Sequence, residues 1–224
     1  MNGIGTGGFP IDLVLFGMIA AFLVLRLRSI LGRRTGYERT AQQPGPSNAG
    51  SPAGPLIEGK AEPAPNLVRP LPDPASAPGQ ALSRMQSVDH SFSGAAFLDG
   101  AERAFRMIVE AYAAGNRDTL RRLLSEEMYH AFDQAIVARE SAGETQRTEI
   151  RGIQSAVIDS ATLRGTVADI TVRFVSDQIS LVLGREGQIV SGTDAVTEII
   201  DIWTFERDLA LRDPTWRLVA AQNG

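Results

Sequence analysis

Hydrophobic positions fall into three regimes along the chain. From Leu13 to Leu25 the run LVLFGMIAAFLVL is unbroken apolar. Phe9, Pro10 and Ile11 extend it across Asp12 to about 17 residues, the shortest length that spans a bilayer. Residues 40–80 carry hardly any bulky side chain, and from about residue 95 the apolar positions become periodic. Phe97, Ala101, Ala104, Phe105, Ile108, Val109 and Tyr112 recur at helical spacing, with Glu102, Arg103, Arg106 and Glu110 opposite them. That stripe predicts an amphipathic helix closed by Gly115. Asn116 caps a second, short helix bearing Leu120, Leu123 and Leu124. Ser125, with Glu126 and Glu127 behind it, starts a third that sets Met128, Phe132, Ala135 and Ile136 on one side and stops before Gly143.

After these helices the period drops to two. In 167–175, VADITVRFV, the residues Ala168, Ile170, Val172 and Phe174 face one way and Asp169, Thr171 and Arg173 the other, the pattern of a half-buried strand. Upstream, 149–158 is β-branched with a weaker alternation and a Gly152 that marks a bulge, and Arg164-Gly165 supplies the turn between the two. Residues 178–192 read as a hairpin through Arg185-Glu186-Gly187. The run VTEIIDIWTF, 196–205, is apolar on both faces and reads as a central strand. Asp213-Pro214 turns the chain into a last strand along which Trp216, Leu218 and Ala220 alternate. Helices followed by antiparallel strands predict an α+β domain, with helices packed on one face of a curved antiparallel sheet.

Charge orients the first apolar run. Nothing basic precedes it, whereas Arg26, Arg28, Arg33 and Arg34 follow at once. A signal peptide has the reverse order. The positive-inside rule therefore predicts a single-pass transmembrane anchor with everything after Leu25 cytoplasmic. Leu13, Phe16, Ile19, Phe22 and Leu25 are the residues expected in the membrane. Ten of the chain's twelve prolines lie between 44 and 78, so residues 40–94 are expected to be a disordered, extended tether. The predicted organisation is thus 1–39 anchor and basic juxtamembrane segment, 40–94 linker, and 95–224 folded domain.

Composition then narrows the chemistry. Cysteine is absent, which excludes disulfides, thiolate metal sites and cysteine nucleophiles. With only His90 and His130, no metal site and no cofactor are expected. Segment 97–224 carries net charge −6, so a nucleic-acid interface is not expected either.

Several blocks resemble a known family. LVLRLRSILGRRTGYE (23–38), FLDGAERAFRMIVEAYAAGNRDTLRRLLS (97–125), TVRFVSDQIS (171–180), VTEIIDIWTFERD (196–208) and RDPTWRLVAAQ (212–222) are similar, in order, to bacterial relatives of the mitochondrial inner-membrane import-motor scaffold, the Tim-type (TimA-type) adaptors. The resemblance implies a nuclear-transport-factor-like cone with an apolar pocket between helices and sheet. It also implies a non-enzymatic adaptor at a bacterial inner membrane, recruiting a protein partner from the translocation or assembly machinery, or a chaperone. The mitochondrial relative has a longer chaperone-recruiting segment where this chain has an anchor and a proline-rich tether. A small-ligand or lipid carrier and an isomerase-type pocket enzyme are the alternatives.

The pocket-lining candidates are Phe105, Tyr112, Phe132, Phe174, Trp203, Phe205 and Trp216, for which plain core packing is the competing account. Tyr112, Tyr129 and Asp169 are the residue types of a steroid-isomerase-like site, if the fold brings them together. Arg117, Arg121 and Arg122 form a candidate lipid or partner patch, with a solvated helix face as the alternative. Met85, Phe92 and Phe97 lie in an approach segment that either contacts the membrane or docks on the domain.

Overall fold

The computed structural model describes residues 70–224. The apolar run 13–25, the arginines 26–34 and the tether up to residue 69 lie outside the described residues. Among the described residues no helix is long and apolar enough to cross a membrane.

Each helix begins at a side-chain cap. Ser76, Ser93, Asn116 and Ser125 each accept a bond from a first-turn backbone N–H, satisfying donors that have no partner within the helix. The helices are α1 (Ala77–Val88), α2 (Gly94–Ala114), α3 (Arg117–Leu123) and α4 (Glu126–Ala142). Gly115 and Gly143 close α2 and α4 in the left-handed conformation, at φ 67° and 72°. The last three helices match the periodicity of the sequence.

Helix α1 corrects the expected linker. It lies inside 40–94, starts on Pro78 in its first turn, and buries Gly79, Ala81 and Met85. Ala81 and Met85, with half-buried Leu82 beside them, carry its apolar face, too sparse a stripe to stand out from a proline-rich segment. The approach segment docks on the domain: Met85, Phe92 and Phe97 are all core residues.

Four strands follow: β1 (Thr145–Arg164), β2 (Val167–Leu183), β3 (Ile189–Asp208) and β4 (Arg217–Asn223). They pair antiparallel in chain order, β1-β2-β3-β4. The tight turns at Arg164-Gly165 and Arg185-Glu186-Gly187 fall where the sequence places them, and register shifts in β1 at Ile150/Gly152, Ile153/Ser155 and Ile158/Ser160 bend the strand. One face of the sheet presents Ala156, Ile158, Ala168, Ile170, Val172, Phe174, Trp203, Phe205 and Leu218 to the helices. β4 departs from strict alternation. Thr204 pairs with Ala220 but Phe205 pairs with Leu218, so Val219 is an extra residue and Ala221, not Ala220, is buried.

The central aromatics knit helix to sheet. Phe105 of α2 stacks on Phe174 of β2 at 4.5 Å and meets Trp203 of β3 at 4.7 Å. Polar groups also enter this core: Gln178, fully buried, donates from Nε2 to Ser176 Oγ at 2.8 Å and to Asp201 Oδ2 at 3.5 Å. At the far end Arg139 of α4 donates to the carbonyl oxygens of Tyr112 and Ala113 at the close of α2, at 2.9 and 3.2 Å, and to Gln146 Oε1 at 2.6 Å. Burial lowers the Arg139 pKa.

Candidate functional site

The aromatic stripe does not line one internal pocket. Phe105, Phe174 and Trp203 are at most 1% exposed and fill the interior, while Tyr112 and Phe132 pack on each other at 5.1 Å between α2 and α4. Of the seven pocket candidates, Phe205 and Trp216 border a described cleft. Alternation places the aromatics on the core face, and only the packing of helices over that face decides which of them a solvent-open space reaches.

That cleft, about 330 Å³, opens between the α1–α2 connection, the outer side of α2 and the β3–β4 loop. Phe92, Phe97, Leu123, Phe205 and Trp216 form its apolar wall, with Met107 and Arg103 at the rim. Trp216 meets Phe92 at 6.0 Å and Phe97 at 4.8 Å. The lining is not all apolar: Ser91, Ser93, Thr215 and the two arginines Arg103 and Arg207 contribute polar atoms. None of its residues is a carboxylate, a histidine or a tyrosine.

Two polar clips hold the walls. Asp89 ends α1, accepts from Ser91 N at 2.9 Å and Ser91 Oγ at 2.6 Å, and pairs with Arg207 of β3 at 3.2 Å with both side chains largely buried. The bonds from Ser91, joined by the Arg207 charge, hold the Asp89 carboxyl below the usual carboxylate range. Arg207 also donates from Nε to the Asp213 carbonyl at 3.1 Å, and Asp213 Oδ1 accepts from Thr215 N at 3.0 Å, which fixes the loop presenting Trp216. Met107, Asp89 and Arg207 are not among the site candidates read from the sequence, and Phe92 enters there only as part of the approach segment. Phe92 stands alone between polar residues, and an ion pair across more than a hundred positions leaves no local pattern.

The isomerase-type trio does not converge. The Tyr129 hydroxyl accepts from Arg121 Nη2 at 3.0 Å, Tyr112 is packed beneath Arg139, and Asp169 lies on the opposite face of the sheet. There Asp169 binds Arg164 at 2.7 Å and sits across from Glu206, whose pKa is raised by burial and by the neighbouring Asp169.

The three arginines of α3 do not act as one patch. Arg117 is held by Asp133 at 2.7 Å and doubly by Glu140, which raises its pKa, while Arg122 reaches Thr119 at 3.4 Å. Spacing of i, i+4 and i+5 gives each arginine a different neighbour. His130 is exposed, with Glu126 at 3.8 Å. Among the described residues no group of three metal-ligating side chains forms.

Four helices over one face of an antiparallel meander, with a cleft at the side, define an α+β domain. The sequence profile of the Tim44-like domain matches residues 79–223, more than half of the chain, and the chain belongs to that family. No curated protein sequence matches significantly. Among solved structures, the chain is similar to the intermembrane-space region of the chloroplast protein ARC6, with a TM-score of 0.42 and 11% identity over 56% of this chain and 95% of that one. It is also similar to an NTF2-like-family protein from Streptomyces avermitilis proposed to be a dehydratase (TM-score 0.34, 12% identity, 55% of this chain and 92% of that one). A cystatin-like-fold domain of unknown function from Nostoc punctiforme follows, at TM-score 0.30 and 12% identity over 59% of this chain and 78% of that one.

Proposed function

We propose that the chain is a membrane-anchored adaptor whose domain binds a protein partner through the aromatic cleft. The observation that carries this reading is a solvent-open cleft walled by Phe92, Phe97, Leu123, Phe205 and Trp216 and lacking any carboxylate, histidine or tyrosine. Apolar anchors of a partner fit such a surface, since aromatic pockets supply most of the energy in protein recognition. A proton-transfer enzyme needs a titratable group facing its substrate, and this lining favours a non-enzymatic role. Membership of the Tim44-like family supports a partner from protein translocation or membrane-protein assembly, or a chaperone. The fold is read as a nuclear-transport-factor-like cone. Placement at the cytoplasmic face of a bacterial inner membrane rests on the apolar run 13–25 and the arginines that follow it.

A photocrosslinking residue at Met107, on the cleft rim, tests the reading in cells. It is expected to capture one component of translocation, assembly or chaperone machinery that the same residue at exposed Glu110 does not. Identical capture at both positions overturns the cleft as the docking site. For topology, a periplasm-active phosphatase fused after Gly224 is expected to be inactive, and strong activity reverses the orientation.

The cleft volume, within the range of small-molecule sites, favours a second reading as a hydrophobic-ligand carrier. Co-purification of a stoichiometric apolar compound that Trp216→Ala releases would support the carrier over the adaptor.

A further inference from the structure

A second cleft, about 240 Å³, lies on the other side of α3 and is lined by Arg121, Leu124, Glu126, Tyr129, His130 and Arg217. Its walls come from three elements that the backbone locks together. Ser125 N donates to the Leu218 carbonyl at 2.9 Å, and Leu124 bridges Leu218 in parallel register. That clamp draws the α3–α4 junction onto the start of β4 and so brings Arg217, the residue before Leu218, to the same cleft as Arg121 and Tyr129.

Arg121 is pre-organised. Its Cζ lies 4.4 Å over the Tyr129 ring and its Nη2 donates to the phenol oxygen at 3.0 Å, so the planar guanidinium is fixed by a ring face and a hydroxyl with further N–H groups to offer. Among the described residues no carboxylate lies within 4 Å of Arg121. Arg217 has one such contact, a loose 3.7 Å to Asp213, whose Oδ1 already accepts from Thr215 N. The counter-charge in the cleft is Glu126, which is 92% exposed and turned to His130 at 3.8 Å. Two guanidiniums, a phenol and an imidazole line this cleft with Glu126 as its one carboxylate, while Asp118 and Asp133 act on Arg121, and Asp213 on Arg217, from outside it.

We propose that this cleft binds a phosphate group, held between Arg121 and Arg217 with His130 at its edge. Guanidiniums suit the tetrahedral dianion because each offers paired donors along a flat edge, and fixing Arg121 in advance removes ordering cost from binding. The same chemistry is presented by a free phosphate compound and by a phosphatidic-acid headgroup. The site is separate from the aromatic cleft and does not depend on the adaptor reading.

The test is calorimetric titration of the full chain, purified in a neutral detergent, with inorganic phosphate and with dihexanoyl phosphatidic acid. Inorganic phosphate is expected to bind saturably with one site. Arg217→Gln is expected to weaken it about tenfold, as loss of one charge-assisted contact should. Tyr129→Phe, which releases Arg121 while keeping the ring, is expected to weaken it to a smaller extent, and Arg122→Gln, outside the cleft, not at all. Dihexanoyl phosphatidic acid binding at least about tenfold tighter than phosphate, and equally sensitive to Arg217→Gln, identifies a lipid headgroup as the source, while equal affinities identify a free phosphate compound. Non-saturable uptake, or binding unchanged in Arg217→Gln, overturns the site.

Discussion

Trp216 meets the Phe97 ring at 4.8 Å with the planes 68° apart, so a residue of the β3–β4 loop is wedged edge-on against the first turn of α2. The contact closes one end of the aromatic cleft while leaving Trp216 half-exposed. Trp203, by contrast, is 1% exposed in the core. The two tryptophans therefore report different parts of the molecule.

Trp216→Ala is expected to cost about 2 kcal/mol in urea unfolding, from lost aromatic packing, and to abolish capture from Met107. Trp216→Phe should restore stability to within about 1 kcal/mol. In the Trp203→Phe variant the remaining fluorescence is expected to be quenched by acrylamide, and in Trp216→Phe to be protected. Equal quenching in both would contradict the placement of these rings.

Met85 tests whether α1 belongs to the domain. It is fully buried, so Met85→Ala is expected to destabilise by about 2–5 kcal/mol. A fragment beginning at residue 95 should lose cooperative thermal unfolding, because removing α1 uncovers the core that Ala81, Met85 and Phe92 close. A fragment 95–224 as stable as 70–224 would return the domain boundary to the one the composition suggested.

Asp89 links the cleft to pH. Its folded pKa lies below the ordinary value, so its ionised form favours the folded state. The contribution is present above the ordinary carboxylate pKa and is lost as pH falls through the lowered folded value. Glu206 has the opposite sign: its raised pKa penalises the ionised folded form, a cost that appears as pH rises through the folded value. Asp89→Asn is expected to lower Tm at pH 7 and to flatten the acid limb of the Tm–pH profile. Glu206→Gln should raise or preserve Tm at pH 7. An acid limb unchanged in Asp89→Asn would show that the clip to Ser91 and Arg207 does not form.

Two glycines with positive φ separate conformational strain from collision. At Gly165, φ 63°, nothing lies near an added Cβ, so Gly165→Ala should cost only about 1 kcal/mol, the left-handed penalty. At Gly192, φ 84°, an added Cβ would run into the Ser180 carbonyl of the paired strand. Gly192→Ala is expected to cost more than about 2 kcal/mol, measured by chemical unfolding. Equal losses at the two sites would mean that β2 and β3 are less closely apposed there.

Local rules were enough for much of this protein. Helices α2, α3 and α4, the Asn116 and Ser125 caps, the glycines that end α2 and α4, the alternation of β2 and the turns at Gly165 and Gly187 all depend on neighbours a few residues apart, and those neighbours are adjacent in the chain. The resemblance to Tim-type adaptors was legible for the same reason, in contiguous blocks such as DIWTFERD. Tertiary structure decided what distant residues do to one another. It recruited α1 through Ala81 and Met85, slipped β4 by one residue at Val219 so that Ala221 replaced Ala220 in the core, and divided one aromatic stripe into a filled interior and an open cleft. It also dispersed Arg117, Arg121 and Arg122 onto separate partners and drew Arg217 to Arg121. None of these follows from periodicity, because side-chain direction along an element says which face a residue occupies, and only the packing of another element over that face decides whether it is buried, paired or left open to a ligand.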